Sequence, residues 1–227
     1  MSPEADKTFY LLSIRGKLKP QTLEEARAVH NATAGAPESV AAARALGDVS
    51  HMVFVPTDQN GPDAGEFLIL DVWTSLEGLN QFFSNHQVQE GGAMIFTERD
   101  PVVWMPATGF TEYHLPSPHG RDDRTVAIVR GPVHSPEHAQ GVHNEFVGSQ
   151  VSKARIAGNL SHAPYFRMAA PGTDGPAEFF AVDTWMDSEG MARHYADPAL
   201  PEAFGKLFAG MPSATTWRHP EGEWVEW

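Results

Sequence analysis

Two kinds of hydrophobic spacing alternate along this chain. Short apolar runs of strand length stand at Phe9 to Ile14, Val49 to Val55 and Phe67 to Trp73. Between them lie stretches with apolar residues every three or four positions, the mark of a helix with one buried face. In the first half the pattern predicts a strand ending at Arg15-Gly16, then helix from about Gln21 to Leu46, broken near Gly35-Ala36-Pro37. Two strands follow, separated by the turn cluster Gln59 to Asp63. Ser75 is placed to cap a helix, with Glu77 in its first turn. A further helix covers about Val88 to Phe96, and Val102 to Trp104 is a last strand.

The second half repeats this order. Strand Val126 to Val129 precedes a helix from Pro136 to about Ile156, strand His162 to Met168, the turn Pro171 to Pro176 and strand Phe179 to Trp185. Helices over about Glu189 to Tyr195 and Pro201 to Phe208 lead to a strand at Thr216-Trp217. The halves also share residues. Glu66, Asp71, Trp73 and Glu77-Gly78 recur as Glu178, Asp183, Trp185 and Glu189-Gly190, each 112 positions later. Val29-His30-Asn31 recurs as Val142-His143-Asn144, Ser50-His51 as Ser161-His162, Arg15-Gly16 as Arg130-Gly131, and Trp104 as Trp217. The matches keep their order while the offset drifts by a few residues, as loop insertions make it drift. The chain is therefore an internal duplication: residues 1–107 form a first repeat, 108–124 a linker and 125–227 a second repeat.

Each repeat reads β-α-β-β-α-β, a ferredoxin-like unit. Both helices of such a unit lie on one sheet face, so the other face needs cover. The fold class expected is α+β, with two ferredoxin-like repeats packing sheet on sheet as an intrachain pseudo-dimeric barrel. The assembly expected is a monomer with this internal pseudo-dimer, or a weak homodimer.

The chain has 227 residues, no cysteine and a formal net charge of −13. Disulfides, thiolate metal sites, Fe–S clusters and cysteine nucleophiles are excluded. An acidic surface repels phosphate, so neither nucleic acid nor an anionic membrane is an expected partner. The opening residues do not read as a signal peptide, no apolar run approaches membrane-spanning length, and a cytoplasmic location is the expectation. No Walker loop, Rossmann glycine pattern, Gly-x-Ser-x-Gly or His-Glu-x-x-His occurs.

Candidate chemistry lies with the repeated polar residues. Leu23, Ala26, His30 and Thr33 share a helix face, as do Ala139, His143 and Phe146, so each histidine points with small and apolar residues toward the sheet. His51 and His162 open a strand in each half. A helix-borne and a strand-borne imidazole that converge between the layers can exchange protons, bind a metal or orient a phenolate. The alternative is a buried neutral ring satisfied by backbone. Asp71 and Asp183 share an apolar strand face with Trp73 and Trp185. There a carboxylate suits proton transfer, or serves as a structural acceptor. Arg15 and Arg130 end strands, where they would bind an anionic substrate, pair with these acids or form simple ion pairs. Trp73 and Trp185 are core residues or the walls of a flat pocket.

The run Asp183-Thr184-Trp185-Met186-Asp187-Ser188-Glu189-Gly190, followed by His194-Tyr195-Ala196-Asp197-Pro198 and Phe204, resembles the dimeric α+β barrel superfamily, which includes antibiotic-biosynthesis-monooxygenase-like and EthD-like proteins. The helix Leu23 to Asn31 is similar to the histidine-bearing helix of EthD-like members. The first half departs from the pattern: Phe82 stands where His194 stands, and Ser84-Asn85-His86 replaces Ala196-Asp197-Pro198. The resemblance implies a small-molecule substrate held between helices and sheet. It also implies an oxygenase-like enzyme without flavin or nicotinamide, acting on a small aromatic or polyketide-like molecule. His30, His51, His143, His162, Asp71 and Asp183 would be its catalytic groups. A haem- or metal-binding protein, with His194 at the position of the family's haem-binding histidine, and a non-catalytic small-molecule binder remain as alternatives.

Overall fold

A computed structural model describes residues 8–115, 124–169 and 175–227. The acidic N-terminal residues 1–7, positions 116–123 of the expected linker and positions 170–174 of the expected turn lie outside the described residues. The chain forms two compact units, Met1–Trp104 with Pro220–Trp227, and Met105–His219.

The first unit contains β1 (Tyr10–Leu18), α1 (Leu23–Ala32), α2 (Pro37–Ala45), β2 (Asp48–Pro56), β3 (Glu66–Trp73), α3 (Leu76–Phe83), α4 (His86–Ile95) and β4 (Phe96–Pro106). Its antiparallel strands lie in the order β4-β1-β3-β2. The second unit contains β5 (Tyr113–His114), β6 (Thr125–Pro132), α5 (Pro136–Ile156), β7 (Asn159–Arg167), β8 (Glu178–Trp185), α6 (Ser188–Tyr195), α7 (Ala199–Leu207) and β9 (Ser213–Arg218), with strand order β9-β6-β8-β7-β5. Four strands of each sheet thus follow the ferredoxin-like order. Residues on both faces of β3 are buried: Phe67 and Ile69 on one, Leu68 and Leu70 on the other.

Local chemistry explains the boundaries. Thr22 and Glu25 form a reciprocal capping box that starts α1. Ser75 caps α3 by accepting from the Gly78 N–H, and Asp187 caps α6 by accepting from the Gly190 N–H. The long helix is broken in the first unit and continuous in the second. Both copies have a glycine there, Gly35 and Gly148, but only the first has a proline two residues on. Pro37 lacks an N–H and sits at the first turn of α2, so the helix restarts there rather than running through.

Two short segments differ from the boundaries read in the sequence. Residues 108–115, expected as linker, include β5 and pack within the second unit. Residues 220–227, expected within the second repeat, pack within the first unit. Each extended tail that follows a closing strand therefore belongs to the unit built by the other repeat.

Candidate active site

The site is a chain of four side chains, present twice. In the first unit His51 on β2 lies directly opposite Asp71 on β3, and the register brings His51 Nδ1 to 2.6 Å from Asp71 Oδ1. His30 from α1 reaches down to the same strand, with its Nε2 2.9 Å from His51 Nε2. Its other nitrogen, Nδ1, is 3.0 Å from Asn31 Oδ1. The second unit repeats the chain: Asn144 to His143 at 3.1 Å, His143 to His162 at 2.8 Å and His162 to Asp183 at 2.6 Å. All four histidines and both aspartates are buried. The sequence expectation that helix- and strand-borne imidazoles converge is what the geometry shows.

The proton inventory of this chain can be counted from the backbone inward. Asn31 Oδ1 accepts from the Val225 N–H at 3.0 Å, and its Nδ2 donates to the Glu223 carbonyl at 2.9 Å, which fixes the amide orientation. Its oxygen therefore faces His30, and His30 Nδ1 must be the donor. Burial, and then the neighbouring His51 ring, lower the His30 pKa to about 4, so this ring is neutral and its Nε2 is an acceptor. His51 Nε2 must then donate to it. What remains between His51 Nδ1 and Asp71 Oδ1 is one shared proton. Thr111 and Gly109 fix Asn144 in the same way, and His143 is likewise lowered to about 4. The two units carry the same count.

They differ in what surrounds the chain. A cavity of about 570 Å³ opens on His51 and Asp71 in the first unit, with Asp48, Phe82, Arg99 and Trp227 among its walls. That volume suits a drug-sized molecule. The cavity beside His143, His162 and Asp183 measures about 80 Å³, room for a few waters. Side-chain volume accounts for the contrast. The first cavity is bounded by Thr33, Ala34, Ala36, Ser39 and Ala42, whereas Phe146, Val147, Gln150 and Val151 of the unbroken α5 fill the second.

The free carboxylate oxygen differs as well. Asp183 Oδ2 accepts from the Tyr195 hydroxyl at 2.8 Å. Phe83 stands at the position of Tyr195 in the first unit, and among the described residues Asp71 Oδ2 has no hydrogen-bond partner.

Asp48 escaped the sequence reading. It is three residues from His51, so strict strand alternation would turn the two to opposite faces. The register of β2 against β3 shifts between Asp48 and Ser50, and this bulge puts both side chains in the same cavity. The same shift occurs between Asn159 and Ser161, where the residue matching Asp48 is an asparagine. Burial, and then the charge of Asp71, push the Asp48 pKa up to about 8. A polar residue beside a histidine-bearing strand end was the only sequence signal, and it does not reveal a bulge.

The remaining expected residues lie outside the hydrogen-bonded chain. Arg15 pairs with Glu66 and, at 2.7 Å, with Asp63. Arg130 pairs with Glu178 at 2.5 Å. Both are ion pairs at strand ends, and neither lines either cavity. Trp73 is fully buried against Phe82 and Phe83 and is core. Trp185 is as deeply buried and forms a wall of the small cavity. His194 packs on Trp185 with ring centres 5.2 Å apart, and burial lowers its pKa.

A metal or haem fits these residues poorly. Every ring nitrogen of the histidine pairs is already engaged by Asn, His or Asp, so coordination would break the chain. Among the described residues no group of three or more His, Cys, Asp or Glu is arranged to hold a metal ion. For haem, the candidate ligand His194 faces the 80 Å³ space, while Phe82 occupies its place beside the large cavity.

No family model and no curated protein sequence matches the chain. Solved structures do. An anthrone oxidase-like protein superposes with a TM-score of 0.64 at 19% identity, covering 95% of this chain and 92% of its own. A protein of Lactobacillus acidophilus provisionally described as a monooxygenase gives 0.60 at 10% identity, over 92% and 93%. The chlorite dismutase of Candidatus Nitrospira defluvii gives 0.53 at 13%, over 93% and 91%. The chain shares the α+β fold of these structures, with two ferredoxin-like units in tandem. The likeness runs the length of both chains, so it includes both ferredoxin-like units rather than one. Among the described residues, no helix is long and apolar enough to cross a membrane.

Proposed function

We propose that this chain is an oxygenase-like enzyme acting on a small, flat aromatic or polyketide-like molecule without flavin or nicotinamide, and that the chemistry takes place in the first unit. The observation that carries this reading is Asp71 Oδ2. It faces a cavity of about 570 Å³, has no protein partner among the described residues, and ends a buried proton chain of His51, His30 and Asn31.

A carboxylate oxygen so held accepts a proton from a substrate whose C–H or O–H is acidified by an aromatic ring or carbonyl. Trp227 stacks on His51 with ring centres 4.5 Å apart and offers a ring face to positive charge that develops there. The resulting carbanion or phenolate is electron-rich enough to give electrons to dioxygen itself. For a doubly activated CH2 group the balance is one O2 consumed, a C=O formed and one water released. The monooxygenase and anthrone oxidase-like names among the structural neighbours support the same class of chemistry. In the second unit the same chain is closed by Tyr195 and a filled cavity, so His143, His162 and Asp183 are proposed to hold that unit together rather than to turn over substrate.

Oxygen uptake by the pure protein with a panel of quinols and aromatic ketones tests the reading. Turnover should appear for at least one flat substrate and fall on Asp71→Asn. No uptake across the panel, or uptake untouched by that substitution, ends it.

A further inference from the structure

Two buried carboxyl groups, Asp48 and Asp71, and one imidazole of the first unit face a single cavity, and of the two only Asp71 has an ionisable counterpart in the second unit. Asp48 and Asp71 are both almost fully buried, at 3% exposure each. Asp48 Oδ1 accepts from the Ser50 N–H at 3.2 Å, and among the described residues Asp48 Oδ2, like Asp71 Oδ2, has no hydrogen-bond partner. Both open on the same walls. Asp71 is tied to the proton shared with His51. Asp48 has no such partner, and two carboxylates facing one cavity disfavour double ionisation. One is thereby poised as acceptor and the other as donor.

We infer that Asp48 and Asp71 act together as a general acid and a general base, and that the site catalyses keto–enol interconversion of a flat aromatic ketone, with or without oxygen. This rests on the proposed use of the first-unit cavity. Asp71 Oδ2 takes a proton from the carbon next to the carbonyl, and the C–H bonding pair becomes the C=C bond of the enol. The carbonyl oxygen takes the proton held by Asp48, so the step leaves Asp71 protonated and Asp48 ionised. Reversal restores the ketone, and no oxidant or reductant is consumed. The class of substrate follows from the walls. Asp48, Asp71, Glu38 and Glu90 outnumber Arg99, so the cavity favours a neutral ketone over an anionic one.

Asp48 must carry its proton to act. It does so below its pKa of about 8, and the activity is expected to fall as pH rises through that value. The charged and titratable groups facing it are Asp71 from β3, His51 from β2, Arg44 and Glu38 from α2, and Glu90 and Arg99 around α4 and β4. Of these, Asp71 raises the Asp48 pKa and Arg44 lowers it.

The test is deuterium uptake from D2O into 2-tetralone under nitrogen, followed by NMR. The wild-type protein should exchange the proton at least tenfold above buffer at pH 7 and lose the excess above about pH 8. Asp48→Asn, which copies Asn159 of the second unit and is expected to fold, should bring exchange down to the buffer rate and remove that pH limb. Asp48→Ser provides a second variant should the asparagine protein misfold, and circular dichroism checks both. Exchange by Asp48→Asn at the wild-type rate, or a wild-type excess that persists above pH 9, overturns the inference. Oxygen uptake by a wild-type protein that fails to exchange also overturns it while leaving the oxygenase reading standing. Exchange without oxygen uptake supports it and removes the oxygenase reading.

Discussion

His30 Nε2 and His51 Nε2 stand 2.9 Å apart, close enough that one ring must donate and the other accept. Asn31, itself pinned by backbone groups of residues 223 and 225, decides that His30 is the acceptor. A second proton on His30 would point at the N–H of His51 and lose that bond. The same holds for His143 and His162.

This relationship predicts acid sensitivity. His30 and His143 titrate near 6.5 when unfolded and at about 4 when folded. Between those values the unfolded chain binds more protons, so stability rises with pH and is lost as pH falls from about 6.5 toward 4. Each ring accounts for about 3 kcal/mol across that window at 1.36 kcal/mol per pKa unit. Denaturant midpoints measured from pH 7.5 down to 4.5 should drop steeply, and His143→Phe should flatten the slope. A midpoint that holds steady over that range contradicts the neutral-ring assignment.

Asp71→Asn and Asp183→Asn separate the two units. The first substitution removes the cavity-facing acceptor and should lower kcat by roughly 10²- to 10⁴-fold. The second leaves the large cavity intact and should change kcat less than about threefold, while destabilising the second unit because His162 and Tyr195 lose a charged partner. Equal losses of activity in both variants would mean that the small cavity also works.

The contrast between what was legible and what was not follows from these same residues. Element order, the meeting of the histidines and the placing of Asp71 beside them could be read because helix and strand periods set side-chain direction, and the repeat showed each fact twice. Asp48 was hidden by one extra residue in β2, which reverses the side-chain parity on which strand reading depends. Cavity size was hidden because it depends on summed volumes: Ala34 against Val147 changes no polar pattern. The tails were hidden because residues 108–115 and 220–227 are too short and irregular to show a period. The salt bridges of Arg15 and Arg130 were within reach, since Glu66 and Glu178 recur in the two halves just as the arginines do.

Gly78 and Gly190 occupy matching positions in α3 and α6. A Cβ on Gly78 would lie 1.8 Å from the Leu46 carbonyl oxygen, and one on Gly190 would lie 1.9 Å from that of Ala157. Both obstacles are backbone, so neither can swing aside. Gly78→Ala and Gly190→Ala should each cost at least about 2 kcal/mol. For a chain of this length that is a fall of roughly 4–8 °C in Tm. A Tm within 1 °C of wild type for either variant would show that the helix can shift away from the carbonyl.

Trp227 completes the first-unit site. Its backbone exchanges hydrogen bonds with His51, N–H to carbonyl at 2.8 and 3.2 Å, and its ring stacks on the His51 ring. Beside it Trp224 packs on His30 with ring centres 5.2 Å apart, and Glu226 accepts from the Val53 N–H at 2.8 Å. Gly35 permits this approach, because a Cβ there would sit 2.7 Å from Val225 Cβ. The tail thus orients His51 by ring contact while the Trp227 ring forms a cavity wall. Trp227→Ala keeps the backbone pairing but removes the wall and the ring face. It should raise KM roughly tenfold and lower stability by about 1–3 kcal/mol, whereas Trp227→Phe should recover most of both. Removing residues 220–227 also frees Asn31, the group that sets the direction of the proton chain, so kcat should fall along with the rise in KM. If the truncated protein kept its wild-type kcat, the proton order derived for His30 and His51 would not depend on Asn31.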